Sequence, residues 1–505
     1  MTLDMDGAQA QATLEASLRA LLSEQPMRLE RLSEHVRLCE SFGQSIEAYR
    51  AWRFLCAQNP ADPFAWTNAT IAAWKARLSG EAVFCASQTL ALNPLAPAYA
   101  LDVLQTMAAA GPFSSALDQA GIAAVNRRYA ALIAQEAATL EIAPREPQAR
   151  PRPPGAGRLR LGYLWSFFGG GTEFCFPFHH DRGRFEVVAV MPDHLDCPKE
   201  KIGVDEVVVF PANDPRAANA LIRRAKLDLL VVLDGRGGYA AVDILVETGL
   251  APLQAYFGNF FASTYSGAVD ALIGDRALID ALRGDGGGER RIAIAEPIMP
   301  VRNPFFVPGE GTEGAPPRPC RFRLGTTGNS YKLSSPFMDL AAALLRRIPD
   351  SSFYYASFHG HEDCALARRQ LESRGVAPER IEFFPSGRGA YSTMINAIDA
   401  AIDSVPYNGH LSSYEFLSQG VPVWSLRGPR LTQRYGEMIL GAVGLPHHVF
   451  DSAEALGDAL AAGLEATSGA GREALRRRVV ESRLGDPLRA TRLMEAALEE
   501  TLASA

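Results

Sequence analysis

The sequence predicts an all-α amino-terminal domain followed by two α/β domains, each built on a parallel β-sheet. Three observations support this fold class. Apolar positions recur at three- and four-residue steps through residues 1–145, as they do along one face of a helix. A proline-rich stretch at 146–157 then interrupts the pattern. Beyond it, short apolar runs alternate with helical patterns, which is typical of doubly wound parallel sheets.

Composition and charge narrow the class of protein. The chain has 505 residues, 47% hydrophobic and 21% charged, which fits a globular protein of about three domains. Its net charge of −7 argues against a general nucleic-acid binder. Seven dispersed cysteines, none in a C-x-x-C pair, favour a reducing compartment. The start lacks the pattern of a signal peptide and no apolar run is long enough for a membrane span, so we expect a cytoplasmic protein.

The helical domain, residues 1–145, contains an internal echo. The segment AQNPADPFA at 57–65 recurs as ALNPLAPAY at 91–99, an offset of 34 residues. This is the period of a tetratricopeptide repeat, in which proline falls at the turn between helix pairs. We therefore predict tetratricopeptide-like repeats, which offer a concave surface for a protein partner. An irregular helical bundle would explain the same helices, so both interpretations stay open.

The first α/β domain is predicted at 158–318. It follows the linker at 146–157, where closely spaced prolines favour an extended chain because proline disrupts both helices and central strands. Glycine- and proline-rich segments at 284–288 and 308–319 close the domain. Its strands are predicted at 158–163, 185–191, 206–210, 227–233 and 271–273.

The second α/β domain, 319–480, repeats this alternation. Its strands are predicted at 321–326, 353–357, 380–384, 400–403 and 421–424. A helical pattern over about 471–505 ends the chain, and we expect its last part, 481–505, to pack back on the first α/β domain. Doubly wound sheets bind ligands at the carboxyl ends of their strands, so we expect a ligand cleft between the two domains.

The most informative segment, 407–422, reads YNGHLSSYEFLSQGVP. It follows the mostly apolar run 398–405 and opens an amphipathic helix. A strand, a glycine turn and a helix that starts with serines make a seat for phosphate, because free N–H groups and the positive end of the helix dipole face an anion there. Ser412 and Glu415 also fit the capping box S-x-x-E, so a well-capped helix is an equal alternative.

Lys332 favours the phosphate interpretation. It lies in the segment TGNSYKL at 327–333, just after another predicted strand of the same domain. A lysine ammonium and a helix N-terminus can together neutralise charge that grows on phosphates, without a metal ion. Taken alone, a lysine in such a segment is more commonly a solvated surface residue.

These segments, in their order along the chain, resemble the carboxyl half of the O-GlcNAc transferase family, which also holds the cytoplasmic bacterial N-glucosyltransferases. The matching stretches are NSYKLS at 329–334, EFFP at 382–385, NGH at 408–410 and GVP at 420–422. Weaker matches upstream are LRLGY at 159–163, DLLVVLDG at 228–235 and APLQ at 251–254. The resemblance covers roughly 158–480. It implies two facing Rossmann-like domains of the GT-B type and an inverting transfer of a sugar from a nucleotide donor to a protein side chain, without metal or cofactor.

The resemblance also implies a donor site. Lys332 matches the family lysine that contacts the diphosphate, and His410, Ser412 and Glu415 match positions that touch nucleotide phosphate or ribose. This chain has Leu411 where the family usually has the first of two hydroxyl residues, and Glu415 where it often has Asp. The predicted binding residues are Lys332, Asn408, Gly409, His410, Ser412, Ser413, Glu415, Arg388 by the nucleotide base, and Arg434 beside the diphosphate.

The proton acceptor is a separate question. The family carries a histidine in the loop after the first strand, whereas the corresponding loop 166–174 has three glycines and no histidine. Glu173 is the ionisable residue of that loop, and a carboxylate in a partly desolvated cleft can accept the proton of an acceptor hydroxyl. Asp234, after the strand at 227–233, is the second candidate, although it could simply cap the next turn.

The favoured function is therefore a protein glycosyltransferase that uses a UDP-hexose or UDP-N-acetylhexosamine, with its acceptor protein bound by the helical domain. One alternative is a flagellin-modifying transferase that uses another nucleotide sugar. A second is a non-catalytic repeat scaffold, which the missing histidine supports. His359 and His361 lack a third ligand at a fixed spacing, so no metal site is expected.

Overall fold

The computed structural model describes residues 7–23, 29–42, 44–92, 97–143, 157–165, 173–195, 203–258, 261–302, 322–328, 330–357, 361–384, 388–463 and 469–503. The chain divides into two compact units, Met1–Ala116 and Leu117–Ala505. The predicted linker at 146–157 lies outside the described residues except for its last position, and so does most of the His359–His361 segment.

The first unit is helical. Its helices are α1 (Gly7–Ser23), α2 (Leu29–Ser41), α3 (Ser45–Gln58), α4 (Pro63–Lys75), α5 (Ser79–Leu92) and α6 (Pro97–Ala110). Each helix packs against the next, and α4 also contacts α6. The start of α4 follows the sequence: Asp62 accepts a hydrogen bond from the Phe64 N–H at 2.9 Å, and Pro63 occupies the first turn.

The predicted 34-residue period is present in the helix positions. Helices α3 and α5 begin at Ser45 and Ser79, and α4 and α6 begin at Pro63 and Pro97, so both pairs are 34 residues apart. Successive pairs share aromatic contacts: the rings of Trp66 and Phe84 meet edge to face at 5.8 Å. Residues 93–96, part of the second copy of the echo, lie outside the described residues.

The second unit begins with α7 (Gln119–Thr139) and continues into a first lobe with a seven-stranded sheet. The elements are β1 (Leu159–Leu164), β2 (Glu173–Phe174), α8 (Phe176–His179), β3 (Phe185–Pro192), β4 (Glu206–Phe210), α9 (Pro215–Arg224), β5 (Leu229–Val232), α10 (Ala240–Glu247), β6 (Leu253–Phe257), β7 (Ala271–Asp275), α11 (Arg276–Ala281), β8 (Arg290–Ile294) and β9 (Val301–Arg302). The sheet order is β4-β3-β1-β5-β6-β7-β8, and all its pairs are parallel.

Two strands of this sheet, β6 and β8, were not predicted. Gln254 interrupts the apolar run of β6, yet its side chain is completely buried. Its amide donates to the carbonyl oxygens of Val246 (3.0 Å) and Ala268 (2.7 Å), so the fold supplies the partners that water would supply. Strand β8 follows the glycine-rich segment 284–288, which therefore lies inside the domain and does not close it.

Helix α7 belongs to the α/β unit, whereas the sequence placed it in the helical domain ending at 145. The physical reason is a buried contact with α10. The hydroxyl of Tyr129 donates to the carboxylate of Asp243 at 2.9 Å. At the start of α7, Gln119 donates to the Phe261 carbonyl at 2.8 Å and accepts from the Leu431 N–H at 3.0 Å. The same amide thus touches both lobes of the unit.

The second lobe has a six-stranded sheet. Its elements are β10 (Phe322–Gly328), α12 (Ser335–Arg347), β11 (Ser351–Ser357), α13 (His361–Glu372), β12 (Ile381–Phe384), α14 (Arg388–Ala397), β13 (Ala400–Ile402), α15 (Leu411–Ser418), β14 (Val423–Leu426), α16 (Tyr435–Ala442), β15 (Val449–Phe450) and α17 (Ala453–Gly463). The order is β12-β11-β10-β13-β14-β15, again with parallel pairs. Two Rossmann-like lobes are therefore confirmed.

The chain ends in α18 (Gly469–Ser482) and α19 (Pro487–Ala503), two helices where the sequence predicted one. Arg483 adopts a positive φ of 55° at the break, which ends α18. Helix α19 crosses to the first lobe, where Met494 and Leu498 join the core around Phe176. The expected return of the terminal helix to the first α/β domain is confirmed.

Within the part of the chain that the structure describes, every helix is too short or too polar to cross a bilayer.

Candidate functional site

The two predicted phosphate-binding segments meet at one edge of the second sheet. Lys332 follows β10, and the turn at 408–410 follows β13. Strands β10 and β13 are parallel neighbours, with Gly325 opposite Ala401, so their carboxyl ends lie side by side. The Nζ of Lys332 donates a hydrogen bond to the carbonyl oxygen of Asn408 at 2.8 Å. The two segments therefore converge at the carboxyl ends of β10 and β13.

The environment of Lys332 weakens its basicity without removing its charge. The side chain is half-buried, and Nζ lies 4.4 Å from the centre of the Tyr407 ring. Burial lowers the pKa of Lys332 to about 8, while the Asp403 carboxylate opposes that shift. At neutral pH the ammonium therefore keeps its charge, in a site where water screens it poorly.

Asp403 is a site residue that the sequence analysis did not single out. It follows β13 and is 4% exposed. Its carboxylate accepts hydrogen bonds from the Gly409 N–H and from the Ser425 hydroxyl, the latter at 2.6 Å. Burial raises the pKa of Asp403 to about 6, although both donors and Lys332 oppose the shift. The available signal was an acid at the carboxyl end of a buried strand, three residues before a proline.

Asn408 and Gly409 shape the 408–410 turn through buried hydrogen bonds. Asn408 is completely buried, and its Nδ2 donates to the Ser404 carbonyl at 2.9 Å. The Gly409 N–H is already bonded to Asp403. A Cβ on Gly409 would overlap the Oγ of Ser413, so no larger residue fits. These two predicted binding residues are thus placed to shape the turn and to hold Lys332 rather than to present their own donors to a ligand.

The predicted capping box is absent from α15. The helix begins at Leu411 with His410 at the N-cap, and that cap position makes no side-chain hydrogen bond. Ser412 lies inside the first turn, two positions after the N-cap, and is half-buried. Ser413 and Glu415 are 3% and 2% exposed, so both lie on the buried side of the helix.

His410 packs against Tyr435 and lies close enough to Lys332 to feel its charge. Its ring centre lies 5.0 Å from that of Tyr435, which in turn stacks with Tyr407 at 5.8 Å. Burial, assisted by the charge of Lys332, lowers the pKa of His410 to about 4. The imidazole is therefore neutral at physiological pH and can exchange hydrogen bonds without adding charge.

The two predicted arginines each lie at the start of a helix of the second lobe. Arg434 precedes α16 and donates to Glu437 at 2.7 Å, with its side chain 33% exposed. Arg388 begins α14, just beyond β12, and its side chain is outside what the structure describes. The partner of the Arg434 guanidinium is thus Glu437, whereas the described partner of Lys332 is the Asn408 carbonyl.

The base candidates belong to the first lobe. Asp234 follows β5 at its carboxyl end and is 4% exposed. Glu173 begins β2, which pairs antiparallel with β9 at Arg302, so the residue lies in a short strand rather than in a free loop. The Glu173 side chain and residues 166–172 lie outside the description. Phe261 of this lobe contacts Tyr407 at a ring separation of 5.6 Å, beside Lys332.

Metal ligands do not cluster in this region. Among the described residues, no three His, Cys, Asp or Glu side chains are grouped closely enough to hold a metal ion.

The sequence is similar to two curated plant proteins. No family model matches the chain. A probable UDP-N-acetylglucosamine–peptide N-acetylglucosaminyltransferase, SEC of Arabidopsis thaliana, is 22% identical over 347 residues, which are 64% of this chain and 35% of the plant protein. The corresponding SPINDLY protein of Solanum lycopersicum is 24% identical over 253 residues, 47% of this chain and 26% of the relative. The chain thus spans about a third or less of these curated relatives.

A solved structure matches nearly the whole chain. A mutant of the Thermobaculum terrenum O-GlcNAc transferase superposes with a TM-score of 0.76 at 23% identity, covering 98% of this chain and 94% of that one. The likeness confirms the fold: two Rossmann-like lobes in the GT-B arrangement with a helical amino-terminal region.

Proposed function

The chain belongs to the O-GlcNAc transferase family, and on that premise we propose that it transfers a sugar from a nucleotide donor to side chains of a protein acceptor. A UDP-hexose or UDP-N-acetylhexosamine is the favoured donor. The single observation that carries the proposal is the Lys332 ammonium held at the start of α15 by the Asn408 carbonyl. A cation fixed beside a helix N-terminus suits a diphosphate.

The proposed reaction is a single displacement with inversion. The acceptor oxygen or nitrogen attacks the anomeric carbon of the sugar, the bond from that carbon to the phosphate oxygen breaks, and the nucleoside diphosphate leaves. Negative charge grows on the leaving phosphate, and Lys332 together with the first-turn N–H groups of α15 stabilises it. This electrostatic work needs no metal ion.

The acceptor loses a proton in the same step. We propose Glu173 as its acceptor, with Asp234 as the second candidate. Asp234 ends a strand adjacent to β1 in the first lobe, at the sheet edge where ligands bind in such folds. Arg388 and Arg434 remain proposed contacts of the nucleotide base and the diphosphate.

The helical unit is proposed to bind the acceptor protein. Its helix pairs repeat every 34 residues, from Ser45 to Ser79, and such arrays present extended surfaces to a partner chain. The thiols of Cys39, Cys56 and Cys85 are free and buried, which suits a reducing compartment such as the cytosol.

Thermal denaturation with UDP, GDP and CMP tests the donor assignment. A ligand at about one hundred times its dissociation constant stabilises the folded state by about 2.7 kcal/mol. We expect UDP to raise the melting temperature more than the other nucleotides, and Lys332→Ala to remove most of that rise. Equal and negligible shifts with all three nucleotides would refute the transferase proposal. UDP binding without sugar transfer to any protein would indicate a scaffold instead.

A further inference from the structure

A cavity lies in the second lobe, at the end of the sheet opposite to Lys332. Its volume is about 460 Å³. Ala400, the first residue of β13, and Pro422, just before β14, line it, so it faces the amino ends of these strands. The 408–410 turn lies beyond the carboxyl end of β13. Nothing in the proposed transfer reaction uses this cavity.

The wall contains a buried donor without an acceptor. Among the described residues, none accepts a hydrogen bond from Nε1 of Trp424, although this side chain lines the cavity and is 8% exposed. The Nε1 atom itself is closed to solvent, so the cavity meets the indole through its ring carbons, two of which lie close to Gly463, another lining residue.

His448 supplies an acceptor next to that donor. Its ring stacks on Trp424 with centres 4.3 Å apart and planes 16° apart. The Nδ1 of His448 lies 3.1 Å from the Val423 carbonyl, which can only accept, so Nδ1 carries the proton and Nε2 has a free lone pair. Burial lowers the pKa of His448 to about 4, and the ring therefore stays neutral.

The mouth of the cavity is basic and the rest is apolar. Arg478 of α18 is exposed and donates to the Gly444 carbonyl at 3.2 Å, which leaves further N–H groups on its guanidinium. Arg472 also lines the cavity, and one carboxylate, Asp399, lies 4.0 Å from it. Leu445 and Leu475 contribute apolar surface. The combination of apolar and aromatic walls with the Arg478 guanidinium at the mouth matches an organic anion.

We propose that this cavity is a second small-molecule site, which takes an amphipathic organic anion. The apolar body would pack between Leu445 and Leu475 and against the Trp424 indole, and the acidic group would meet Arg478. This proposal does not depend on the transferase function, because it rests on residues at the other edge of the sheet.

The test uses the full chain, labelled with ¹⁵N at the tryptophan indoles and titrated with 8-anilinonaphthalene-1-sulfonate as the probe anion. Trp424→Phe identifies the Trp424 resonance. We expect that resonance to shift and the shift to saturate at one probe per chain, and the same titration in Lys332→Ala to be unchanged. Saturable probe binding that leaves the Trp424 signal in place, or no saturable binding at all, would overturn the proposal.

Variants on α18 make the test specific. Arg478→Ala should weaken probe binding about fivefold to tenfold, whereas Arg477→Ala, an exposed neighbour that does not line the cavity, should leave it unchanged. Ala474→Phe should fill the cavity and abolish binding, and Ala474→Ser should not. Melting temperatures of all four variants control for folding. Equal affinity in Arg478→Ala, Arg477→Ala and Ala474→Phe would show that the probe binds elsewhere.

Discussion

The Lys332 ammonium donates a hydrogen bond to the Asn408 carbonyl at 2.8 Å, across 76 residues of sequence. The contact fixes a cation at the entrance of α15 before any ligand arrives. Asn408 can play this part because its own side chain is bonded inward to Ser404. The lysine is therefore pre-organised by a turn that is itself held by buried hydrogen bonds.

Removing that cation is the first prediction. Lys332→Ala should leave the melting temperature close to that of the parent and weaken UDP binding about tenfold or more, because charge-assisted phosphate contacts contribute roughly 1.5–3 kcal/mol each. Isothermal calorimetry measures the change. Lys226→Ala, at an exposed lysine of the first lobe, is the matched control. An unchanged UDP affinity in Lys332→Ala would remove this residue from the donor site.

The second prediction concerns pH. UDP affinity should fall as pH rises from about 7 to about 9, because Lys332, with a pKa of about 8, loses its proton in that window. Asp403→Asn removes the carboxylate that holds the lysine pKa up, so the fall should begin at lower pH. Ser425→Ala removes one hydrogen bond from Asp403 but keeps its charge, and should leave the onset near its original pH. A pH profile identical in Asp403→Asn and the parent would contradict this coupling.

The third prediction tests the glycine turn. Gly409→Ala should destabilise the lobe by about 1–3 kcal/mol and weaken UDP binding, because the new Cβ overlaps Ser413 Oγ. Adding Ser413→Ala removes that oxygen and should restore part of both losses. Gly267→Ala is the control, since a Cβ there meets nothing within 4 Å. Equal melting temperatures for Gly409→Ala and Gly267→Ala would mean that the turn adapts.

Helix α7 gives the fourth prediction. A chain that begins near Leu117 should fold cooperatively and bind UDP, and should lose modification of the acceptor protein. A chain that begins near Gly155 lacks α7, and the buried Asp243 then loses the Tyr129 hydroxyl. We expect this shorter chain to melt at a lower temperature, since a hydrogen bond to a charged group contributes roughly 1.5–3 kcal/mol. Full acceptor modification by the Leu117 chain would reduce the helical unit to structural support.

The sequence predicted what depends on local pattern. Strands such as β3 were found because their apolar runs are unbroken, and Lys332 was found because it follows one of them. Strand β6 was missed because Gln254 interrupts its apolar run at the second residue, and the bonds that satisfy this amide come from Val246 and Ala268, outside the strand. The domain to which α7 belongs was harder still to predict from the sequence. That assignment depends on the contact of Tyr129 with Asp243, 114 residues away.

The residues of the candidate site also divide into those that the sequence could predict and those that it could not. The positions of Lys332 and the 408–410 turn could be predicted, because parallel strands bring their carboxyl ends together. The role of Asp403 could not be predicted, since its partners are Gly409 of the 408–410 turn and Ser425 of strand β14, which only the folded sheet brings together. The start of α15 at Leu411 likewise depends on the hydrogen bonds that fix the 408–410 turn. Because the helix begins at Leu411, the predicted N-cap at Ser412 is wrong.

The last prediction concerns the proton acceptor. Transfer to a hydroxyl needs a base within hydrogen-bond reach of the acceptor oxygen, directly or through one water. Glu173→Gln keeps the shape and removes the basic carboxylate, so kcat should fall by roughly 10²–10⁴ with UDP affinity unchanged. Asp234→Asn is the matched variant on the neighbouring strand end. A normal kcat in Glu173→Gln with a collapse in Asp234→Asn would transfer the role to Asp234. Normal rates in both would mean that the proton leaves through water or the donor phosphate.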